Sequence, residues 1–146
     1  MPLPRRPKAA RSRTAPPAPA RSRRAHAPRE HLEEFRRRRA SANERVHAAD
    51  HLGIKRFLAL DHQAYLDGAL SGKTKELLGL VASLVLRCND CVDYHLVQCV
   101  RAGYTDAEIH DGLNVALVVG GSIVIPHLRH AFETLATLRE AGEFSL

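Results

Sequence analysis

Two thiols and an imidazole fall within one short run of this chain, Cys88-Asn-Asp-Cys91-Val-Asp-Tyr-His95, and a carboxylate, Glu76, stands twelve positions before the first thiol. If these four groups work together, they restrict the fold. A straight helix from Glu76 to His95 would hold the two about 30 Å apart at ~1.5 Å per residue. The chain must therefore break near Arg87–Cys88 and return as a helical hairpin.

The spacing carries its own chemistry. Cysteines three apart on a helix share one face and lie within reach of a disulfide. His95 follows Cys91 by four residues, which sets the imidazole beside that sulfur on a helix. An imidazole there takes the thiol proton, and the imidazolium then stabilises the thiolate. If the two cysteines also occupy a first helical turn, the helix dipole favours the thiolate further. The thiolate is the nucleophile, so C-x-x-C-x-x-x-H with an upstream acid reads as a thiol-redox site.

The full pattern, Glu76-x11-Cys88-x-x-Cys91-x-x-x-His95, resembles the signature of the alkylhydroperoxidase AhpD-like branch of the carboxymuconolactone decarboxylase family. The surrounding stretches LLGLVASLVLRCNDCVDYHLVQCVRAG and TDAEIHDGLNVALVVGG are similar too, so the resemblance spans Ile54 to Leu138. It implies an all-α subunit of about six helices that assembles into homo-oligomers, trimers or hexamers. It implies thiol-dependent reduction of hydroperoxides, with peroxiredoxin-type activity. Carried over residue by residue, Cys91 would be the peroxidatic thiol, Cys88 its disulfide partner, and His95 with Glu76 the proton relay. One position departs from the pattern. Asp90 stands where the best-known members carry a histidine, and a carboxylate beside the thiols opposes thiolate formation. The lactone decarboxylases share the fold without depending on the cysteine pair, so the presence of both thiols argues against that branch.

Charge divides the chain. Residues 1–29 hold nine Lys/Arg and no acid, leaving 13 of the 22 basic residues against all 16 Asp/Glu in residues 30–146. The net charge of +6 thus belongs to an Arg/Pro/Ala-rich tail that cannot bury a core and is expected to be disordered. Its functional readings are a nucleic-acid-binding arm, a tether to an anionic surface or a transit peptide; the plain reading is a solvated extension. The folded domain is expected over 30–146. Aromatic residues make up only 5% and Trp is absent, so its core must be aliphatic. Three cysteines without a secretory hydrophobic region point to a reducing, cytoplasmic setting rather than a disulfide-stapled secreted domain.

Helices are expected along the whole domain. From Glu30, Glu33 and Glu34 are spaced to pair with Arg37 and Arg38, and the run Arg36–Arg39 reads as a solvated face. Phe57, Leu58, Leu60, Ala64 and Tyr65 recur at helical intervals until Gly68 and Ser71-Gly72 interrupt them. Thr74 is the expected cap of a third helix with Glu76 in its first turn. That helix, LLGLVASLVL, is apolar almost all round, so it is central or at a subunit interface, and too short to span a membrane. The C-x-x-C helix should end at Gly103, and Thr105-Asp-Ala-Glu108 has capping-box spacing. Periodicity leaves LNVALVVGGSIVI open between strand and helix; the resemblance favours two helices joined at Gly120-Gly121, the second carrying Pro126 and running to about Glu140.

The remaining candidates are weaker. Cys99 shares a helical stripe with Cys88, Cys91 and His95, but the four spread over ~16 Å, too far for one zinc ion. It reads as a buried small hydrophobe. Asp93 and Tyr94 flank the site and read as packing or surface residues. His127 and His130, one turn apart, read as structural, and His47, His51 and His62 show no partner spacing. No flavin, nicotinamide or metal motif appears, so the expectation is no cofactor, with an external dithiol or lipoyl-type protein as reductant. The leading expectation is a hydroperoxide reductase cycling through a Cys88–Cys91 disulfide. Protein-disulfide exchange, or a non-catalytic oligomeric scaffold with a nucleic-acid-binding tail, are the alternatives.

Overall fold

A computed structural model describes the backbone of residues 22–142 and the side chains of 30 and 32–142. Residues 1–21, on which the expectation of a disordered basic tail mainly bears, lie outside the described residues. Six α-helices follow in order: α1 Ser22–Ala48, α2 Leu52–Ala64, α3 Gly72–Val85, α4 Asn89–Arg101, α5 Asp106–Gly120 and α6 Ile125–Glu140, with a 3-10 turn at Ser122–Val124 before α6. Among the described residues there is no strand, so LNVALVVGGSIVI resolves into two helices about Gly121, which takes φ 72°. No described helix is long and apolar enough to cross a membrane.

The helices α3, α4 and α5 form the centre, with α3 packed on both others and α6 closing over α4. The core is aliphatic: Leu80, Leu84, Val92, Leu96, Ile109, Leu113, Val124 and Leu138 are all buried. Helix α1 starts at Ser22, earlier than the expected beginning of the domain near Glu30, and lays Leu32 and Phe35 into this core. Its ion pair joins Glu34 to Arg37, three residues on rather than the four anticipated. Helix α2 differs from the others. None of its residues is buried, and Phe57 and Leu60 stay about two-thirds exposed, at 67% and 64%.

Local chemistry sets the helix ends. Ser71, not Thr74, caps α3: its extended backbone aims Oγ at the Thr74 N–H, which donates to it at 3.1 Å. The helix therefore begins one turn earlier than anticipated, and Glu76 lies in its second turn rather than its first. At the other end Cys88 N–H donates to Ser83 O and Arg87 N–H to Leu84 O, the paired bonds of a Schellman motif. Arg87 takes the left-handed conformation that this motif requires, at φ 61°. The same pair of bonds closes α4, where Gly103 fills the left-handed position at φ 76°. The capping box Thr105/Glu108 opens α5, and bonds from the Thr105 N–H and then its hydroxyl hold the Glu108 carboxyl below the usual range.

Candidate functional site

The Schellman turn at Arg87 is what folds α4 back along α3. It makes Cys88 the N-cap of α4 and puts Cys91 in the first helical turn. Cys91 N–H donates to Cys88 Sγ at 3.3 Å, as a capping side chain accepts. The two sulfurs are joined as a disulfide, with Cα atoms 5.3 Å apart.

The hairpin also brings Glu76 on α3 to His95 on α4. Glu76 Oε2 and His95 Nδ1 are 2.7 Å apart, and both side chains are largely buried. The imidazole sits against α3 because residue 79 is glycine: a Cβ there would stand 2.5 Å from His95 Cε1. Tyr94 meets the same ring edge-on at 5.1 Å between centroids. On the remaining side stands Tyr65, the residue that ends α2, with its hydroxyl 3.4 Å from His95 Nε2. Burial, then the nearby Glu76 carboxylate, raises the Tyr65 phenol above its ordinary pKa, so it stays protonated.

These groups face a cavity of about 360 Å³, within the range of small-ligand sites. Its lining includes Cys91, His95, Tyr65, Tyr94 and Asp90, with Arg38 and Arg39 of α1 across from them. Cys91 is exposed on this cavity while Cys88 is only half-buried and not part of its wall. The arginine run read as a solvated face thus lends two residues to the site, and Arg39 stacks on the Tyr94 ring at 4.1 Å.

Of the four residues singled out in the sequence, Glu76 pairs with His95, Cys88 with Cys91, and Cys91 and His95 line the same cavity. The missed ones are long-range partners. Tyr65 showed only as an apolar position on a helix, and nothing local tied it to His95. Asp93, read as packing or surface, is buried and accepts from Thr134 Oγ1 and faces His130 Nε2, each at 2.7 Å. That bond, more than burial opposes it, raises the His130 pKa. His127 Nδ1 meets Asn89 Oδ1 at 2.7 Å. The two histidines noted one turn apart therefore clamp α6 to the start of α4, which steadies the thiol-bearing turn. Cys99 is free and fully buried, and its thiol is pushed up to about 12 by desolvation, so it stays inert. Among the described residues, no three His, Cys, Asp or Glu side chains are grouped to hold a metal ion.

Comparison with known proteins gives the class. The chain belongs to the carboxymuconolactone decarboxylase family, whose sequence profile matches residues 53–134. It is 30% identical over 79 residues to uncharacterized protein 4 in the cox locus of Paracoccus denitrificans, covering 54% of this chain and 71% of that one. The fold matches a crystal structure of TM1620 from Thermotoga maritima with TM-score 0.74 and 53% identity, over 77% of this chain and 99% of that one. A second TM1620 structure, described as a family member with a suggested part in an antioxidative response, matches with TM-score 0.72 and 55% identity, over the same shares of the two chains. Apo-lpg0406 of Legionella pneumophila, also described as a family member, matches with TM-score 0.65 and 25% identity, over 76% and 96% of the two chains.

Proposed function

We propose that this protein is an AhpD-like, thiol-dependent hydroperoxide reductase. The observation that carries this reading is the cavity, whose wall includes Cys91, but not Cys88, together with a histidine paired through Nδ1 with Glu76. A glutamate on Nδ1 leaves Nε2 as the basic nitrogen. In the reduced protein His95 takes the Cys91 proton at Nε2, and Glu76 holds the ring and supports the imidazolium. The thiolate attacks the distal peroxide oxygen. The O–O bond breaks, Cys91 becomes a sulfenic acid and the alcohol leaves. Cys88 then attacks that sulfur and expels water, which closes the disulfide.

An external dithiol, small or carried on a lipoyl-type protein, reopens it. Attack falls on the exposed Cys91 sulfur, and Cys88 leaves. An N-cap thiolate is stabilised by the amides of the first turn, so Cys88 is the better leaving group. Asp90, in that same turn, works against both thiolates and keeps the activation modest. The assembly is a homo-oligomer, supported by the apolar faces of α2 and α5 that the single subunit leaves bare.

The test is a thiol count by intact mass on reduced protein given one equivalent of an organic hydroperoxide. Wild type should lose two thiols rapidly. Cys88→Ser should hold a trappable sulfenic acid at Cys91, and Cys91→Ser should form none. Unchanged thiols in all three sink the reading and shift weight to protein-disulfide exchange.

A further inference from the structure

Tyr65 supplies a group that the four-residue signature lacks. When Cys91 thiolate splits a hydroperoxide, the electron pair of the O–O bond leaves on an alkoxide, a far stronger base than a phenolate. That oxygen needs a proton as the bond breaks. His95 holds the proton taken from Cys91, but its Nε2 does not face open space: the Tyr65 hydroxyl stands 3.4 Å away, on the same cavity wall as Cys91.

The position of Tyr65 is fixed by the loop that follows it. Gly72 N–H donates to Asp67 Oδ1 at 2.7 Å, Lys75 Nζ donates to Leu66 O, and a Cβ at Gly72 would stand 2.7 Å from the Tyr65 carbonyl oxygen. The start of α3 is thereby drawn against the Tyr65 backbone. Its ring lies over the imidazole with centroids 5.3 Å apart. A helix with no buried residue ends on the side chain whose hydroxyl faces His95 Nε2.

We propose that the Tyr65 hydroxyl is the acid that protonates the departing alkoxide, and that His95 Nε2 re-protonates it in the same step. The assignment rests on the hydroperoxidase reading. The balance closes: the Cys91 proton goes to Nε2, the Tyr65 proton goes to the alkoxide, and the Nε2 proton returns to Tyr65. One alcohol and one sulfenic acid result, with His95 and Tyr65 as they began. The raised phenol keeps Tyr65 in its donating form throughout the neutral range.

The leaving group provides the test. In the reduced Cys88→Ser background, sulfenic acid formation at Cys91 is timed with tert-butyl hydroperoxide and with peracetic acid. The second reagent expels a carboxylate, which needs no acid. Tyr65→Phe keeps the ring and removes the proton, and circular dichroism verifies the fold. The expected result is a loss of about 100-fold with tert-butyl hydroperoxide and a change within about threefold with peracetic acid. Equal losses with both reagents make Tyr65 a positioning residue for His95 and overturn the proposal. No loss with either overturns it as well. A Tyr65-containing protein that is inert to tert-butyl hydroperoxide sinks the hydroperoxidase reading itself, a result distinct from the other two.

Discussion

His95 is held by what its neighbours lack as much as by what they offer. Glu76 binds its Nδ1, Tyr65 faces its Nε2, and the missing side chain at Gly79 gives the ring its room. Gly79→Ala sets two effects against each other. Alanine in a helix interior gains about 1 kcal/mol over glycine, while forcing a methyl into a packed site costs about 1–3 kcal/mol. The ring can give way only by leaving its bond to Glu76 and its packing against Tyr65 and Tyr94, so the clash wins. The expected outcome is a net loss of up to about 2 kcal/mol in denaturant unfolding. The Glu76–His95 bond should be lost with it, cutting the alkylation rate of reduced Cys91 at neutral pH. An alkylation rate equal to wild type would show that His95 does not assist the thiol. At this scale the sequence exposed the groups whose spacing is local, Cys88, Cys91 and His95, and gave Glu76 through the full signature. Tyr65 and Gly79 were illegible because each matters through a single residue on another helix. The Asp93–His130 pair was half legible: the histidines stood out, but their partners on α4 did not.

The break between α3 and α4 follows from chemistry once Glu76 and His95 must meet, and the structure places it at Arg87. What sequence could not supply was the means, because the left-handed position is filled by arginine where glycine would mark it, as Gly103 marks the end of α4. Left-handed backbone costs a non-glycine residue about 1–2 kcal/mol. Glycine's greater freedom in the unfolded chain takes back about 0.5–1 kcal/mol of any gain. Arg87 is exposed and makes no ion pair among the described residues, so its side chain contributes little to offset the strain. Arg87→Gly is therefore expected to stabilise the protein by about 0.5–1 kcal/mol, read as a higher urea midpoint with an unchanged slope. A lower midpoint would mean that the arginine side chain holds the turn. The other misplaced boundary, Ser71 for Thr74 at the head of α3, has a similar origin. Both hydroxyls can cap, and the choice depends on which residue the preceding loop leaves extended.

At the scale of the molecule, a good deal of apolar surface stays exposed among the described residues. Helix α5 buries Ile109, Leu113 and Ala116 against the core, yet Val115, Val118 and Val119, at i, i+3 and i+4, are 54–76% exposed along another side. Ile123 just beyond and Leu86 at the tip of the α3–α4 hairpin are exposed too, as are Phe57 and Leu60 on α2. Periodicity made these helices recognisable but could not say which apolar face meets the core and which meets something else; for α2, the apolar positions that marked the helix are not core at all. Such a stripe on a helix that already has a buried face marks an interaction surface, and the proposed homo-oligomer would cover it with a second copy. The expected outcome is that the protein, 16.2 kDa per chain, sediments as an oligomer, and that Val118→Asp reduces the assembled mass. A charge at the centre of a dry interface loses its hydration without gaining a partner, and such burial is prohibitive. In the free subunit the same carboxylate points to water, so the variant's monomer should keep the wild-type helical signal. Sedimentation velocity of the two proteins at equal concentration decides it. A wild type that runs as a single chain would leave the bare face of α5 unexplained and remove the oligomer from the functional reading. An assembly that persists in the variant would move the interface to α2, where Phe57 and Leu60 lie exposed on the helix that delivers Tyr65 to the site.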